Sequence, residues 1–185
     1  RRLMLMFVLV AIAQFTWAYY LNFFPGHLTG DLGHPQTVWG LNTFLTVLGE
    51  IPFFLAFNKL FDKLGIKKLL GICAGLLIIR YFGLALLTNV PLLLGVGVLT
   101  GLATTVYTYC GSVYITRHVA PENKASANSL MYALANGIPK VLAGVLGGIM
   151  TTAIGYTASM LICGLLGVLA LVIFLAAFAK DKALS

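Results

Sequence analysis

Charged residues are scarce in this chain of 185 residues: they make up 9% of the sequence, and only five of them are acidic. Hydrophobic residues make up 60%, and the mean hydropathy is +0.98. Because soluble domains carry about 25% charged residues, this composition excludes a soluble globular protein. It predicts an integral membrane protein.

The sequence also has few of the residues that redox, metal or haem chemistry needs. Cys73, Cys110 and Cys163 lie within apolar runs and form no CxxC pair, so we expect reduced thiols that are packed or lipid-facing. The three histidines fall at predicted loops or helix ends. A haem site needs histidines inside helices, so the sequence argues against one. An intramembrane serine protease needs a membrane-embedded histidine as the partner of its serine, and Ser112 has none. The glycines at 95–101 lack the spacing of a dinucleotide loop. We predict no enzyme activity, no metal and no cofactor.

Long apolar segments are what the sequence does contain. Six of them are long enough to cross a hydrocarbon core of about 30 Å. They cover residues 3–24, 36–60, 68–87, 91–116, 125–152 and 156–179. They are too long and too uniformly apolar for barrel strands. We therefore predict an all-α membrane protein, with residues 1–185 forming one bundle of six transmembrane helices in the lipid bilayer.

The basic residues predict the orientation of this bundle. Ten of the twelve lie at the N-terminus, in the second and fourth breaks and in the tail, and the other three breaks contain none. By the positive-inside rule, both termini are cytoplasmic. The same distribution explains the net charge of +7 without a nucleic-acid partner. The remaining two basic residues, Arg80 and Lys140, lie inside predicted helices.

The six segments divide into two groups of three, about residues 1–88 and 89–185, with a similar layout. At this offset Glu50 corresponds to Lys140, and each lies close to a proline, Pro52 or Pro139. Because three is an odd number, the second group must be inverted in the membrane relative to the first. Inverted three-helix repeats with functional groups near the midplane are typical of secondary transporters.

Glu50 and Arg80 lie deep in neighbouring segments. Eleven residues separate Glu50 from Phe61, and twelve separate Lys68 from Arg80. At a rise of 1.5 Å per residue these stretches cover roughly 16 Å and 18 Å, so both charges lie near the middle of the membrane. An ionisable residue there costs several kcal/mol unless it is paired or faces a cavity, so we predict a functional role.

Helical spacing places further polar residues on shared faces, where we expect them to line a cavity for a small polar solute. Trp17 lies on the same stretch as Gln14, although an anchor at the membrane interface is the alternative for it. For the hydroxyls and amides, the alternative is that they only join helices. The predicted solute and ion pathway comprises Gln14, Asn22, Asn42, Thr46, Glu50, Arg80, Thr100, Thr104, Tyr132, Asn136 and Lys140.

The break after the second segment resembles the cytoplasmic loop of major facilitator superfamily transporters, whose pattern is Gly-x-x-x-Asp-Arg-x-Gly-Arg-Lys. Asn58 stands where the pattern begins with glycine. Glu50 in the helix before this turn and Arg80 in the helix after it resemble a glutamate and an arginine in the C-terminal halves of the lactose permease and phenylpropionate permease families. The likeness covers nearly the whole chain. The residues that match the loop pattern are Asp62, Lys63, Gly65, Lys67 and Lys68.

The resemblance implies half of a major facilitator superfamily fold in a bacterial plasma membrane, performing proton-coupled symport. It assigns Glu50 to solute hydroxyls and Arg80 to proton release. The fourth segment departs from lactose permease, because Gly97, Thr100 and Ala103 stand where that family has a lysine, a histidine and a glutamate of the proton machinery. Glu50 itself is then the candidate titrating group. The alternatives are that Lys140 substitutes in part or that coupling lies in the other half.

Several expectations stay open at this stage. A sugar is the first expectation for the solute, and nucleosides and aromatic acids also suit the polar groups. The alternative function is a channel-like or non-transporting membrane scaffold. The start at Arg1 suggests the second half of a longer transporter, which would pair with an N-terminal six-helix half. A second copy of this chain is the alternative partner.

Overall fold

The computed structural model describes residues 2–178, apart from the side chains of residues 53, 54, 56–58 and 99–102. In this part of the chain all regular structure is helical, which confirms the all-α prediction. Two π-helical turns, His27–Asp31 and Met131–Gly137, and one 3-10 turn, Pro121–Asn123, adjoin the α-helices. The α-helices are α1 (Arg2–Gly26), α2 (Gln36–Leu86), α3 (Val90–His118), α4 (Lys124–Leu130) and α5 (Ile138–Ala177).

The two longest helices each contain one glycine in a non-helical conformation. Gly65 in α2 has φ 72° and ψ 165°, and Gly155 in α5 has φ 81° and ψ 170°. This backbone region is essentially restricted to glycine. Gly65 divides α2 into residues 36–64 and 66–86, and Gly155 divides α5 into residues 138–154 and 156–177. The breaks expected at 61–67 and 153–155 are therefore shorter than predicted, because one glycine is enough to interrupt each helix.

Several helical stretches have the length and apolar character of membrane spans. Within the described residues there are four of them, namely Arg2–Asp31, Lys59–Leu86, Val90–His118 and Pro121–Ala177. The last has 57 residues, nearly three times the roughly 20 that one crossing needs, and it runs through Gly155.

Close helix contacts form around glycines. α1 packs mainly against α5, and α2 packs against α3 and α5. A Cβ atom at Gly147 of α5 would collide with the rings of Tyr19 and Phe23 in α1. A Cβ atom at Gly164 would lie 2.8 Å from the Phe82 ring of α2. Small residues therefore allow α1, α2 and α5 to approach each other closely, as is common between membrane helices.

Apolar side chains cover much of the outer surface. Leu55, Val141 and Ile149 are each more than half exposed, at 82%, 68% and 61%. Such a surface suits contact with lipid tails rather than water. The three cysteines are instead buried and free, so their thiols are packed in the interior and do not face lipid.

Candidate functional site

A polar cavity of about 350 Å³ lies where α1, α2, α3 and α5 meet. It contains one acid and one base, and neither of these two side chains makes an ion pair or hydrogen bond within the described part of the chain. Two charges of opposite sign thus face a common space between these helices, where Glu50 is partly exposed and Lys140 is exposed. The cavity is lined by Gln14, Trp17, Glu50, Thr104, Thr105, Thr108 and Lys140.

One wall of this cavity is held by hydrogen bonds between α1 and α3. Gln14 Nε2 donates to Thr108 Oγ1 at 2.8 Å. The Thr108 hydroxyl in turn donates to the backbone carbonyl of Thr104, one helical turn earlier, at 3.2 Å. These bonds orient the amide and the hydroxyl at the cavity surface, because each group has a fixed partner.

Arg80 lies next to the cavity and is completely buried. Its guanidinium carbon is 4.7 Å from the ring centroid of Trp17, 4.0 Å from that of Tyr20 and 5.8 Å from that of Tyr81. We call these three rings the aromatic cage. None of the guanidinium nitrogens has a hydrogen-bond partner in the part of the chain that the structure describes. Cation–π contacts of this kind contribute about 2 kcal/mol when desolvated, which offsets part of the cost of a buried charge.

Hydrogen bonds position the Tyr20 ring of the cage. The Tyr20 hydroxyl donates to Asn42 Oδ1, and Asn42 Nδ2 donates to the carbonyl oxygen of Leu93 at 3.2 Å. The hydroxyl of Thr46 donates to the carbonyl oxygen of Asn42 at 2.8 Å. Asn42 and Thr46 are buried residues of α2. Asn42 holds the Tyr20 hydroxyl directly, and Thr46 bonds to the backbone of Asn42.

The structure thus divides most of the predicted pathway residues into two adjoining groups. The cavity brings together Gln14, Glu50, Thr104 and Lys140. The surroundings of the aromatic cage bring together Arg80, Asn42 and Thr46. Trp17 connects the groups, because its ring contacts Arg80 and also lines the cavity.

Three predicted residues lie elsewhere. Asn22 and Tyr132 are exposed, Asn136 is partly exposed, and none of them lines this cavity. Tyr132 and Asn136 fall in the π-helical turn Met131–Gly137. A π-helical turn changes the spacing of side chains that an α-helix would align, so these two residues do not share the position of Lys140. The side chain of Thr100 lies outside the described residues.

Sequence reasoning did not assign Tyr20, Tyr81 or Thr105 to the site. Tyr20 follows Trp17 by three residues on α1, and Tyr81 is adjacent to Arg80. An aromatic residue one turn away from Trp17 was thus visible in the sequence. The cage itself depends on contacts between α1 and the second segment of α2, which the sequence alone does not reveal.

The basic loop pattern surrounds the break in α2. Gly65 is the interrupting residue, and Asp62, Lys63 and Lys68 are exposed. Nearby, the guanidinium carbon of Arg117 lies 5.4 Å from the ring centroid of Phe61, so the end of α3 packs beside this break. The role of the loop pattern in transport stays a prediction. No three metal-ligating side chains gather within residues 2–178 as described.

Comparison with known proteins shows which family the chain belongs to. Residues 6–185 match the Major Facilitator Superfamily, so the chain belongs to that superfamily. This confirms the resemblance to the superfamily found in the sequence, and it identifies a multi-pass integral membrane protein of a transporter family. The finer likeness to the lactose permease and phenylpropionate permease families stays a prediction.

The fold is also similar to two solved structures of the nucleoside transporter NupG, one of them a point mutant. The mutant structure has a TM-score of 0.76 at 21% identity, and the match covers 96% of this chain and 48% of NupG. The other has a TM-score of 0.75 at 20% identity, covering 97% of this chain and 47% of NupG. The chain therefore spans about half the length of the structures it matches, and at this identity the likeness establishes the fold alone.

Proposed function

We propose that this chain is one half of an alternating-access secondary transporter that carries a small polar solute together with protons. The observation that carries the proposal is the polar cavity, in which Glu50 and Lys140 face a common space without pairing. Charges in a membrane bundle are expensive, so their presence in a cavity favours a role in binding or transport. Membership of a transporter superfamily supports the same conclusion.

In this proposal each helical segment between two breaks crosses the membrane once. The breaks at Gly65 and Gly155 then give six crossings, arranged as two inverted three-helix repeats with both termini in the cytoplasm. The N-terminal half of the same transporter, or a second copy of this chain, would supply the opposite wall of the solute site. The coverage of about half of NupG supports a two-half arrangement.

Glu50 is the proposed proton-carrying group. Desolvation favours the protonated form of a carboxyl, and a nearby cation favours the ionised form. Lys140 lines the same cavity as Glu50, and Arg80 lies beside this cavity against the ring of Trp17. As access alternates, Glu50 would exchange a protonated state for one paired with Arg80 or Lys140. The guanidinium nitrogens of Arg80 support this step, because they have no hydrogen-bond partner in the described chain and so have capacity for a carboxylate.

The cavity suits a solute with hydroxyl or amide groups. Its threonine hydroxyls, amide and two charges offer both donors and acceptors. A sugar remains the first expectation from these polar groups. The likeness to a nucleoside transporter makes nucleosides a second candidate.

Counterflow in proteoliposomes tests the proposal. The full-length protein would be reconstituted, loaded with excess unlabelled solute and supplied with labelled sugars, nucleosides or aromatic acids. We expect saturable counterflow of one class, because a carrier exchanges bound solute on each turn. A channel or scaffold shows no counterflow, so its absence across the whole panel would contradict the proposal.

A further inference from the structure

Trp17 belongs to the aromatic cage and also lines the polar cavity. Arg80 approaches the face of its ring, with the guanidinium carbon 4.7 Å from the centroid. The Tyr20 ring adjoins it at 5.5 Å with a tilt of 32°. Trp17 is nevertheless only partly buried, and it lines the polar cavity. A large indole surface is thus held in a fixed orientation at the wall of a solute-sized space.

We propose that Trp17 is a stacking surface for a planar heteroaromatic ring of the solute, as found in nucleosides and nucleobases. This inference rests on the proposed transport function and deepens it by selecting among the solute classes. The volume of about 350 Å³ lies at the lower end of the range of small-molecule sites, so one ring with its substituents fills much of the space.

The charge of Arg80 favours an aromatic ring over a pyranose on this surface. The face of an isolated indole carries negative potential, which attracts C–H groups such as those on one face of a pyranose. A cation on one side of the indole attracts its π electrons, so the negative potential on the cavity side is weakened. The attraction for C–H groups falls, whereas stacking of a flat heteroaromatic ring is weakened less, because it rests largely on the dispersion contacts of two large surfaces.

The polar groups of the cavity complement the edge of such a ring. Gln14 and Thr108 present an amide and a hydroxyl whose orientations are fixed by their mutual hydrogen bond at 2.8 Å. Glu50 and Lys140 add an acceptor and a donor to the same space. A heterocycle with amide or amino groups along its edge can use these partners while its face lies against Trp17. A ring without polar edges would leave them unsatisfied.

The test compares two substitutions at Trp17 with a size-matched control. The full-length protein is reconstituted as wild type, Trp17→Phe, Trp17→Leu and Trp39→Leu. Trp39 contacts Tyr20 at 5.2 Å between ring centroids but does not line the cavity. Half-saturation concentrations and maximal rates of counterflow are measured with uridine, uracil, ribose and methyl galactoside as probes.

We expect the wild type to exchange uridine or uracil. Trp17→Leu should raise the half-saturation concentration of that probe about tenfold or more, as loss of base stacking does elsewhere, with the maximal rate within about twofold. Trp17→Phe should raise the half-saturation concentration less, by about two- to threefold, because a smaller ring remains. Trp39→Leu should behave as wild type. If Trp17→Leu does not reach the membrane, the comparison of Trp17→Phe with Trp39→Leu decides. We expect the half-saturation concentration of Trp17→Phe to be the higher of the two.

Two outcomes overturn the inference while the proposed function survives. One is saturable exchange restricted to ribose or methyl galactoside. The other is an unchanged half-saturation concentration in the Trp17 variants that reach the membrane. Exchange of none of the probes, nor of any solute in the wider panel, would overturn the transport function together with the inference.

Discussion

The guanidinium carbon of Arg80 lies 4.0 Å from the ring centroid of Tyr20, and the cation is thus held by an aromatic face. Within the residues described, its nitrogens make no hydrogen bond. Aromatic contacts stabilise the charge without using its directional donors. Arg80 can therefore be a permanent part of the fold and still bind a carboxylate in another state of the transport cycle.

Replacing Arg80 should separate function from stability. We expect Arg80→Leu to reduce proton-driven uptake more than tenfold without lowering the thermal midpoint in detergent, because a buried charge without an ion-pair partner costs more than its cation–π contacts return. Arg80→Lys keeps the charge but loses the planar group that stacks on rings, so it should retain more uptake than Arg80→Leu. A fall in thermal midpoint that matches the loss of uptake would mean that Arg80 is only structural.

The bond between Tyr20 and Asn42 should matter more for stability than the similar bond between Tyr19 and Thr151. Tyr20→Phe leaves the buried Asn42 oxygen without its donor, at a cost of about 1–3 kcal/mol. Tyr19→Phe is the matched control, since Tyr19 bonds at 3.0 Å to a partly exposed Thr151 whose hydroxyl retains other options. Thermal unfolding of both variants in detergent checks the order. Equal midpoints would show that the Asn42 oxygen finds another partner.

Gly65 should tolerate alanine poorly. Its backbone conformation, φ 72° and ψ 165°, costs about 1–3 kcal/mol for a residue with a Cβ atom. Gly75 lies in the helical part of α2, and a Cβ atom there would meet nothing within 4 Å, so Gly75→Ala should be neutral or slightly stabilising. We expect Gly65→Ala to lower the thermal midpoint and Gly75→Ala not to lower it. The opposite order would contradict the assignment of the break to Gly65.

Glu50 and Lys140 should be energetically coupled, because they face the same cavity and are proposed to pair during transport. In a double-mutant cycle of Glu50→Gln and Lys140→Gln, the effects on the rate of uptake should depart from additivity by about 0.5 kcal/mol or more. Lys124→Gln is the control, since Lys124 lies at the start of α4 and does not line the cavity. If the effects of Glu50→Gln and Lys140→Gln are as additive as those of Glu50→Gln and Lys124→Gln, the pairing of Glu50 with Lys140 is contradicted.

Much of the fold was predictable because its signals are local. Apolar runs predicted where helices lie, and the third segment, expected at residues 68–87, corresponds to helix at residues 66–86. The extent of the breaks was not predictable, because one glycine at Gly65 replaces an expected turn of several residues. Periodicity also assumed an unbroken α-helix through Tyr132 and Asn136, where the structure has a π-helical turn.

The charged residues of the site were predictable from the sequence, but the aromatic cage was not. Glu50, Arg80 and Lys140 stood out because each is a lone charge in an apolar segment, and the structure places all three at or beside one cavity. The cage of Trp17, Tyr20 and Tyr81 was not predicted, since aromatic residues are common in membrane helices. Their significance comes only from the contact with Arg80 across two helices.

The measurement that tests the central proposal most directly is proton-driven accumulation of the transported solute in proteoliposomes made with Glu50→Gln. Glu122→Gln is the matched control, because Glu122 is an exposed acid in the turn Pro121–Asn123. The proposal predicts that Glu122→Gln accumulates solute as the wild type does. It predicts that Glu50→Gln loses accumulation by about tenfold or more while some counterflow persists. Accumulation by Glu50→Gln at the wild-type level would contradict it.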